Sequence, residues 1–229
     1  MEKLALLTCL KYDEEGRGIV VADGFSIPVP YLMVGETAQI AIRSKGKNHF
    51  AGDIESITVP SPFRLRPLCP YYEMCGGCSL QHMTYETQLK WKTEKVQSEL
   101  DKYGLWITAK FALGMKDPWK YRNKIQVSYT MDYKGNVWGG FYVEGSHQIL
   151  NIDQCFIEHE VADEIVNFFK SLIEKYQLEP YDRSSRLGSI RHVMVRTSHT
   201  KGEIMVVIVT QTQYLPKQDA IVQDLVRAF

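Results

Sequence analysis

An excess of charge of either sign is missing from this 229-residue chain, in which 27 Lys and Arg stand against 27 Asp and Glu. Bulk charge therefore gives no attraction to nucleic acid, and any such contact must rest on local clusters. No apolar run approaches membrane-spanning length, so no helical membrane anchor is expected. The N-terminus has a short apolar run but no basic region followed by a longer apolar core and a small-residue cleavage site. The cytoplasm is the expected compartment. No internal repeat is present. Disorder is not indicated either, because hydrophobic residues make up 45% of the chain and aromatics 11%. The length suits two compact units.

From Leu4 to about Thr58, β-prone runs alternate with turn signals at Glu15-Gly16, Asp23-Gly24 and Lys45-Gly46-Lys47, which predicts a small β-barrel. VPSPFRLRPLCP carries four prolines in twelve residues and reads as a stiff, extended connector, because proline fixes φ and disfavours helix before it. A domain boundary is placed near Pro60. Tyr85, Leu89, Val96, Leu100 and Tyr103 then predict a helix with one apolar stripe, ending at Gly104. KIQVSYTMDY with NVWGGFYVE, and SIRHVMVRTS with EIMVVIVTQT, predict two hairpins. Between them, Val161, Ile165, Phe168, Leu172 and Tyr176 mark another helix. This order suggests an α+β unit with a mainly antiparallel sheet. After Pro216, Ala220, Ile221, Leu225, Val226 and Phe229 begin a further amphipathic helix, whose apolar face is expected to pack on something.

Cysteine is scarce, with five in the chain, yet three of them fall in CPYYEMCGGC. In a cytoplasmic chain disulfides are disfavoured, so such a trio of thiols points to metal or redox chemistry. Gly76 and Gly77 remove side-chain bulk and permit positive φ, which would let the backbone curl around a sulfur-rich cluster and aim N–H groups at its sulfurs. Four thiolates complete a cubane iron-sulfur cluster, and the remaining candidates for a fourth ligand are Cys155 and Cys9. Cys155 lies where a hairpin end meets a helix start and is chosen. Cys9, in LALLTCL, reads as a small buried hydrophobe. Zinc is the competing metal, held by four thiolates or by three with His82 or His159.

These segments resemble those of the RNA uracil-5 methyltransferases of the RumA and TrmA type. SPFRLRPLCPYYEMCGGCSLQHMTYETQLKWK resembles the cluster-binding segment in its spacing, its paired glycines and Gln81. YRNKIQ and SIRHVMVR resemble two further segments. Residues 1–59 resemble an N-terminal TRAM domain, an OB-like barrel, which leaves 60–229 as a central α+β domain. The resemblance implies that Cys69, Cys75, Cys78 and Cys155 hold a [4Fe-4S] cluster that shapes an RNA-binding platform. It also implies an enzyme that methylates carbon 5 of a uridine in ribosomal or transfer RNA, expected to be 23S rRNA, with S-adenosylmethionine as donor. A cysteine thiolate adds to the ring and makes an unreactive carbon nucleophilic, after the base has been extruded from its stack.

No glycine-rich strand-to-helix turn for the donor is found, and no cysteine follows Cys155. The expectation is that the Rossmann-like methyltransferase domain is missing, that the chain contains no catalytic or donor-binding residue, and that it is inactive alone. Its expected role is RNA recognition, as a monomer. The candidate contacts are Arg43, Lys45 and Lys47 in the first unit and Arg122, Asn123 and Lys124 in the second, with Arg191, His192 and Arg196 as a weaker set. Arginine presents a forked donor to phosphate, and asparagine can read a base edge. A zinc-stapled RNA-binding module without enzymatic activity is the alternative, and a ferredoxin-like electron carrier is a third class.

Overall fold

The structure, a computed structural model, describes residues 3–46 and 49–229. Lys47, one of the candidate RNA contacts, lies outside the described residues. By packing, the chain forms two units: residues 1–73 with 78–116, and residues 74–77 with 117–229. No helix among the described residues is long and apolar enough to cross a membrane.

The first unit contains β1 (Lys3–Thr8), β2 (Lys11–Tyr12), β3 (Gly18–Ala22), β4 (Phe25–Val29), β5 (Thr37–Gly46), β6 (His49–Val59) and α1 (Tyr85–Lys102). Its strands form two three-stranded antiparallel sheets, ordered β1-β5-β6 and β2-β3-β4. The turn between β3 and β4 is Asp23-Gly24 with both φ values positive, 51° and 80°. That is the residue pair a two-residue hairpin favours, because its twist matches that of the strands. Val20, Ile27, Val29, Leu32, Ala38 and Ile40 form the apolar centre together with Cys9. Gly52 lets β6 approach closely, since a Cβ there would lie 2.7 Å from Ile40 and 2.8 Å from Val29.

The connector after Pro60 is folded back onto these sheets and is not a spacer. Arg64 bonds the buried carboxylate of Glu36, Ser61 N–H donates to the same carboxylate at 3.0 Å, and Leu65 N–H donates to the His82 carbonyl at 2.8 Å. The Thr84 hydroxyl then caps α1 by accepting from Thr87 N–H. No residue of α1 is fully buried. The stripe read from its sequence is therefore not a core stripe: Val96 remains 55% exposed and Tyr103 73%.

The second unit holds β7 (Lys124–Met131), β8 (Val137–Tyr142), β9 (Ile149–Asn151), α2 (Glu160–Lys175), β10 (Ile190–Thr197), β11 (Ile204–Thr210) and α3 (Gln218–Ala228). One five-stranded antiparallel sheet runs β11-β10-β7-β8-β9. Both expected hairpins are present, as β7–β8 and β10–β11. Ile125, Val127, Tyr129, Val193 and Val195 alternate along two strands and pack with α2 residues Ile165, Phe169 and Leu172 and with Ile221 of α3. The buried stripe of α2 includes Ala162, Val166 and Ile173, while Val161, Phe168 and Tyr176 sit at its margin. The stripe is thus rotated slightly from the sequence reading.

The expected fold class, an all-β OB-like barrel followed by an α+β domain that lacks the methyltransferase domain, requires correction. The first unit is not all-β, because the connector and α1 pack within it. Its strands also make two separate sheets, with register shifts along β5–β6, in place of one closed ladder.

Candidate thiol ligands and nucleic-acid interface

Cys69, Cys75, Cys78 and Cys155 are each partly buried, whereas Cys9 is buried with 2% exposure. Cys69 and Cys78 belong to the first unit, and Cys75 and Cys155 to the second. The Cys69 carbonyl accepts from Tyr72 N–H at 3.2 Å. Cys75 makes a bridge with Val143, and the flanking Glu144 N–H→Met74 O (2.9 Å) and Gly76 N–H→Tyr142 O (3.3 Å) bonds stitch residues 74–76 beyond the end of β8. A Cβ on Gly77 would meet the Cys75 sulfur at 3.4 Å, an ordinary van der Waals contact.

Cys155 precedes α2, and its N–H donates to Asp163 Oδ1 at 2.9 Å. Burial, with Glu158 adding to it, pushes this thiol up to about 12. Glu158 is itself pushed up to about 7 by burial, then by Asp163. Cys9 donates to the Lys11 carbonyl and is raised to about 11 by burial. A Cβ on Gly18 would lie 2.7 Å from its sulfur, so Cys9 is a packed core thiol. Among the described residues, no group of three or more His, Cys, Asp or Glu side chains is arranged to hold a metal ion.

The two histidines considered as zinc ligands have other roles. His82 is fully buried, and its Nδ1 lies 2.7 Å from the Tyr72 hydroxyl. His159 is the N-cap of α2, accepting from Val161 N–H.

The candidate RNA contacts differ in what they are free to do. Arg43 is paired with Asp53 across the β5–β6 hairpin. Lys45 is exposed near the end of β5. Arg122 has its backbone bound to Ile157 and lies near enough to Glu158 to lower that carboxyl's pKa. The Asn123 carbonyl accepts from Thr197 N–H, and Lys124 is exposed at the start of β7. Arg191 stacks on Tyr181 at 4.4 Å and donates to Gln211.

A pairing that sequence reading did not single out joins two of these strands: Lys124 is the register partner of Arg196, and both are exposed. Gln126 is exposed too, whereas Ile125, Val127, Val193 and Val195 are buried. Strand alternation places this polar set on the sheet face opposite α2 and α3. The alternation of each strand was legible, but the register that sets Lys124 beside Arg196 was not.

No protein-family model matches the chain. It is 39% identical over 212 residues to an uncharacterized RNA methyltransferase of Clostridium tetani, covering 92% of this chain and 46% of that protein. To an uncharacterized RNA methyltransferase of Listeria innocua it is 38% identical over 220 residues, covering 96% and 48%. Its fold is similar to the crystal structure of Pyrococcus abyssi tRNA (uracil-54, C5)-methyltransferase in complex with S-adenosyl-L-homocysteine. The TM-score is 0.70 at 23% identity, over 94% of this chain and 48% of that one. The fold match completes the correction to the fold class: 94% of the chain shares the fold of 48% of that methyltransferase chain. The chain spans about half the length of the curated relatives it matches, and over that length it is a relative of the RNA methyltransferases.

Proposed function

We propose that this chain serves RNA methylation, as the RNA-engaging and cluster-bearing part of an S-adenosylmethionine-dependent uracil-5 methyltransferase. The observation that carries the reading is the extended similarity to proteins named RNA methyltransferases. The exposed Lys124–Arg196 pair on the sheet face opposite α2 and α3 supports it, because paired cations on a strand surface suit a phosphate backbone. The substrate RNA is proposed as ribosomal, with transfer RNA as the competing class that the fold neighbour's name raises.

Cys69, Cys75, Cys78 and Cys155 are the proposed ligands of a [4Fe-4S] cluster. The donor chemistry fits, since four thiols, each partly buried, are what such a cluster requires. Bound there, the cluster would supply a structural cross-link through metal–thiolate bonds. Cys9 is sequestered in the core, so none of the five thiols is assigned as the nucleophile.

Two measurements test the reading. Iron and acid-labile sulfide in the purified protein support the cluster, and stoichiometric zinc in a colourless protein favours the zinc-stapled module. Binding is then compared between labelled 23S rRNA fragments and transfer RNA; a preference decides between the two classes, and salt-insensitive or absent binding to both overturns the RNA-engaging role.

A further inference from the structure

After α1 the chain continues as an extended ledge over residues 105–115, held along the helix by three of its side chains. The Gln97 side chain donates to the Ile107 carbonyl at 3.2 Å and accepts from Ala109 N–H at 2.7 Å. Thr93 Oγ1 accepts from Ala112 N–H at 2.9 Å, and the Tyr85 hydroxyl accepts from Met115 N–H at 2.9 Å. Gly114 permits this close approach, since a Cβ there would lie 2.7 Å from Leu89 and 3.0 Å from the Tyr85 ring. Only Ala109 and Ala112 are partly buried; every other ledge residue is exposed.

Pinned in this way, the ledge holds large apolar groups in water. Trp106 is 102% exposed and Leu113 100%, with Phe111 at 55% and Tyr103, just before the ledge, at 73%. Fully exposed tryptophan and leucine side chains on an ordered backbone mark a surface that has a partner. The charge around them selects that partner. From Lys102 to Lys116 there are three lysines and no carboxylate, although Asp101 and Asp117 flank the stretch and Lys102 reaches Glu99 at 3.5 Å, which leaves Lys110 and Lys116 as its cations without a carboxylate inside the ledge. An apolar protein partner needs no such one-sided charge, whereas aromatics interleaved with cations on an extended backbone match the requirements of an unpaired polynucleotide.

We infer that residues 102–116 form a stacking platform for single-stranded RNA, with Trp106 as the principal base-stacking group and Lys110 and Lys116 following the phosphates. This rests on the proposed RNA-engaging role and assigns it a site distinct from the sheet face bearing Lys124 and Arg196.

The test is fluorescence anisotropy of a labelled, unstructured uridine-rich oligonucleotide titrated with the full 229-residue chain and with Trp106→Ala, Trp106→Phe and a Lys110→Gln/Lys116→Gln double variant. The expected result is that Trp106→Ala weakens binding by roughly tenfold or more without changing the salt slope, while Trp106→Phe recovers most of the loss. The double lysine variant lowers the slope by about 1.4, at about 0.7 per phosphate contact. Thermal melts of each variant, unchanged for these exposed positions, separate the effect from misfolding. Binding that is unaltered in Trp106→Ala overturns the platform while leaving the RNA-engaging role standing. No binding by the parent chain overturns both. Self-association of the parent that disappears in Trp106→Ala, with RNA binding unaltered, shows instead that the ledge is a protein contact.

Discussion

Arg64 grips Glu36 with both arms of its guanidinium, Nε to Oε1 and Nη2 to Oε2, each at 2.6 Å. Glu36 is completely buried. Burial alone would raise its carboxyl, but Arg64 together with the Ser61 and Met33 N–H groups holds it below the usual carboxylate range. Arg64 also donates to the Tyr31 carbonyl. One side chain from the proline-rich segment therefore satisfies a charge in the sheets and fixes where that segment lies.

Removing Arg64 would strand that carboxylate. Arg64→Ala is expected to destabilise the first unit by about 3–5 kcal/mol, the cost of a buried charge left without its partner. Glu36→Leu/Arg64→Leu should recover much of the loss. Urea unfolding followed by circular dichroism measures both, and an effect of Arg64→Ala below about 1 kcal/mol would show the pair to be solvent-screened.

His82 should make stability fall in mild acid. Burial, reinforced by Arg64, lowers its pKa from 6.5 to about 4, so the folded state resists the proton that the unfolded state accepts. This stability is fully present above about pH 6.5 and is lost as pH drops toward about 4, by about 3 kcal/mol in all. Unfolding free energies at a series of pH values, for the parent and His82→Leu, check the sign: the variant's curve should be flatter over this window.

Metal content should separate the two classes of cysteine. Cys155→Ser is expected to lose iron and sulfide together with visible absorbance, while Cys9→Ala keeps them and loses only packing, about 1 kcal/mol of stability. An unaltered spectrum in Cys155→Ser would exclude it as the fourth ligand.

Lys124→Gln and Arg196→Gln should each weaken RNA binding to a similar degree across sequences and lower the salt slope by about 0.7–0.9, depending on whether the RNA is single- or double-stranded. Filter binding at several salt concentrations reads this directly. A sequence-dependent loss would mean instead that these side chains contact bases.

Much of the second unit was legible in the order of residues. Alternation of Ile125 and Val127 with Lys124 and Gln126 sets a strand's buried and wet faces by itself, Asp132 and Gly135 shape the β7–β8 turn, and the spacing of Ile165 and Leu172 marks a helix that must cover apolar surface. The clustering of Cys69, Cys75 and Cys78 was equally plain. These are local properties, carried by neighbours within a few residues.

Tertiary structure decided what no local pattern contains. Nothing in the residues around Arg64 indicates that a carboxylate 28 residues earlier consumes it. Arg43 is likewise paired with Asp53. The apolar stripe of α1 is only partly covered, with Tyr85, Leu89 and Leu100 half-buried and Val96 and Tyr103 exposed, and the ledge that follows lies along the helix with Trp106 and Leu113 outward. Sequence periodicity determines which face of an element is apolar. Whether that face is covered, and which charges are already paired, depends on residues distant in the chain that only the folded backbone brings within reach.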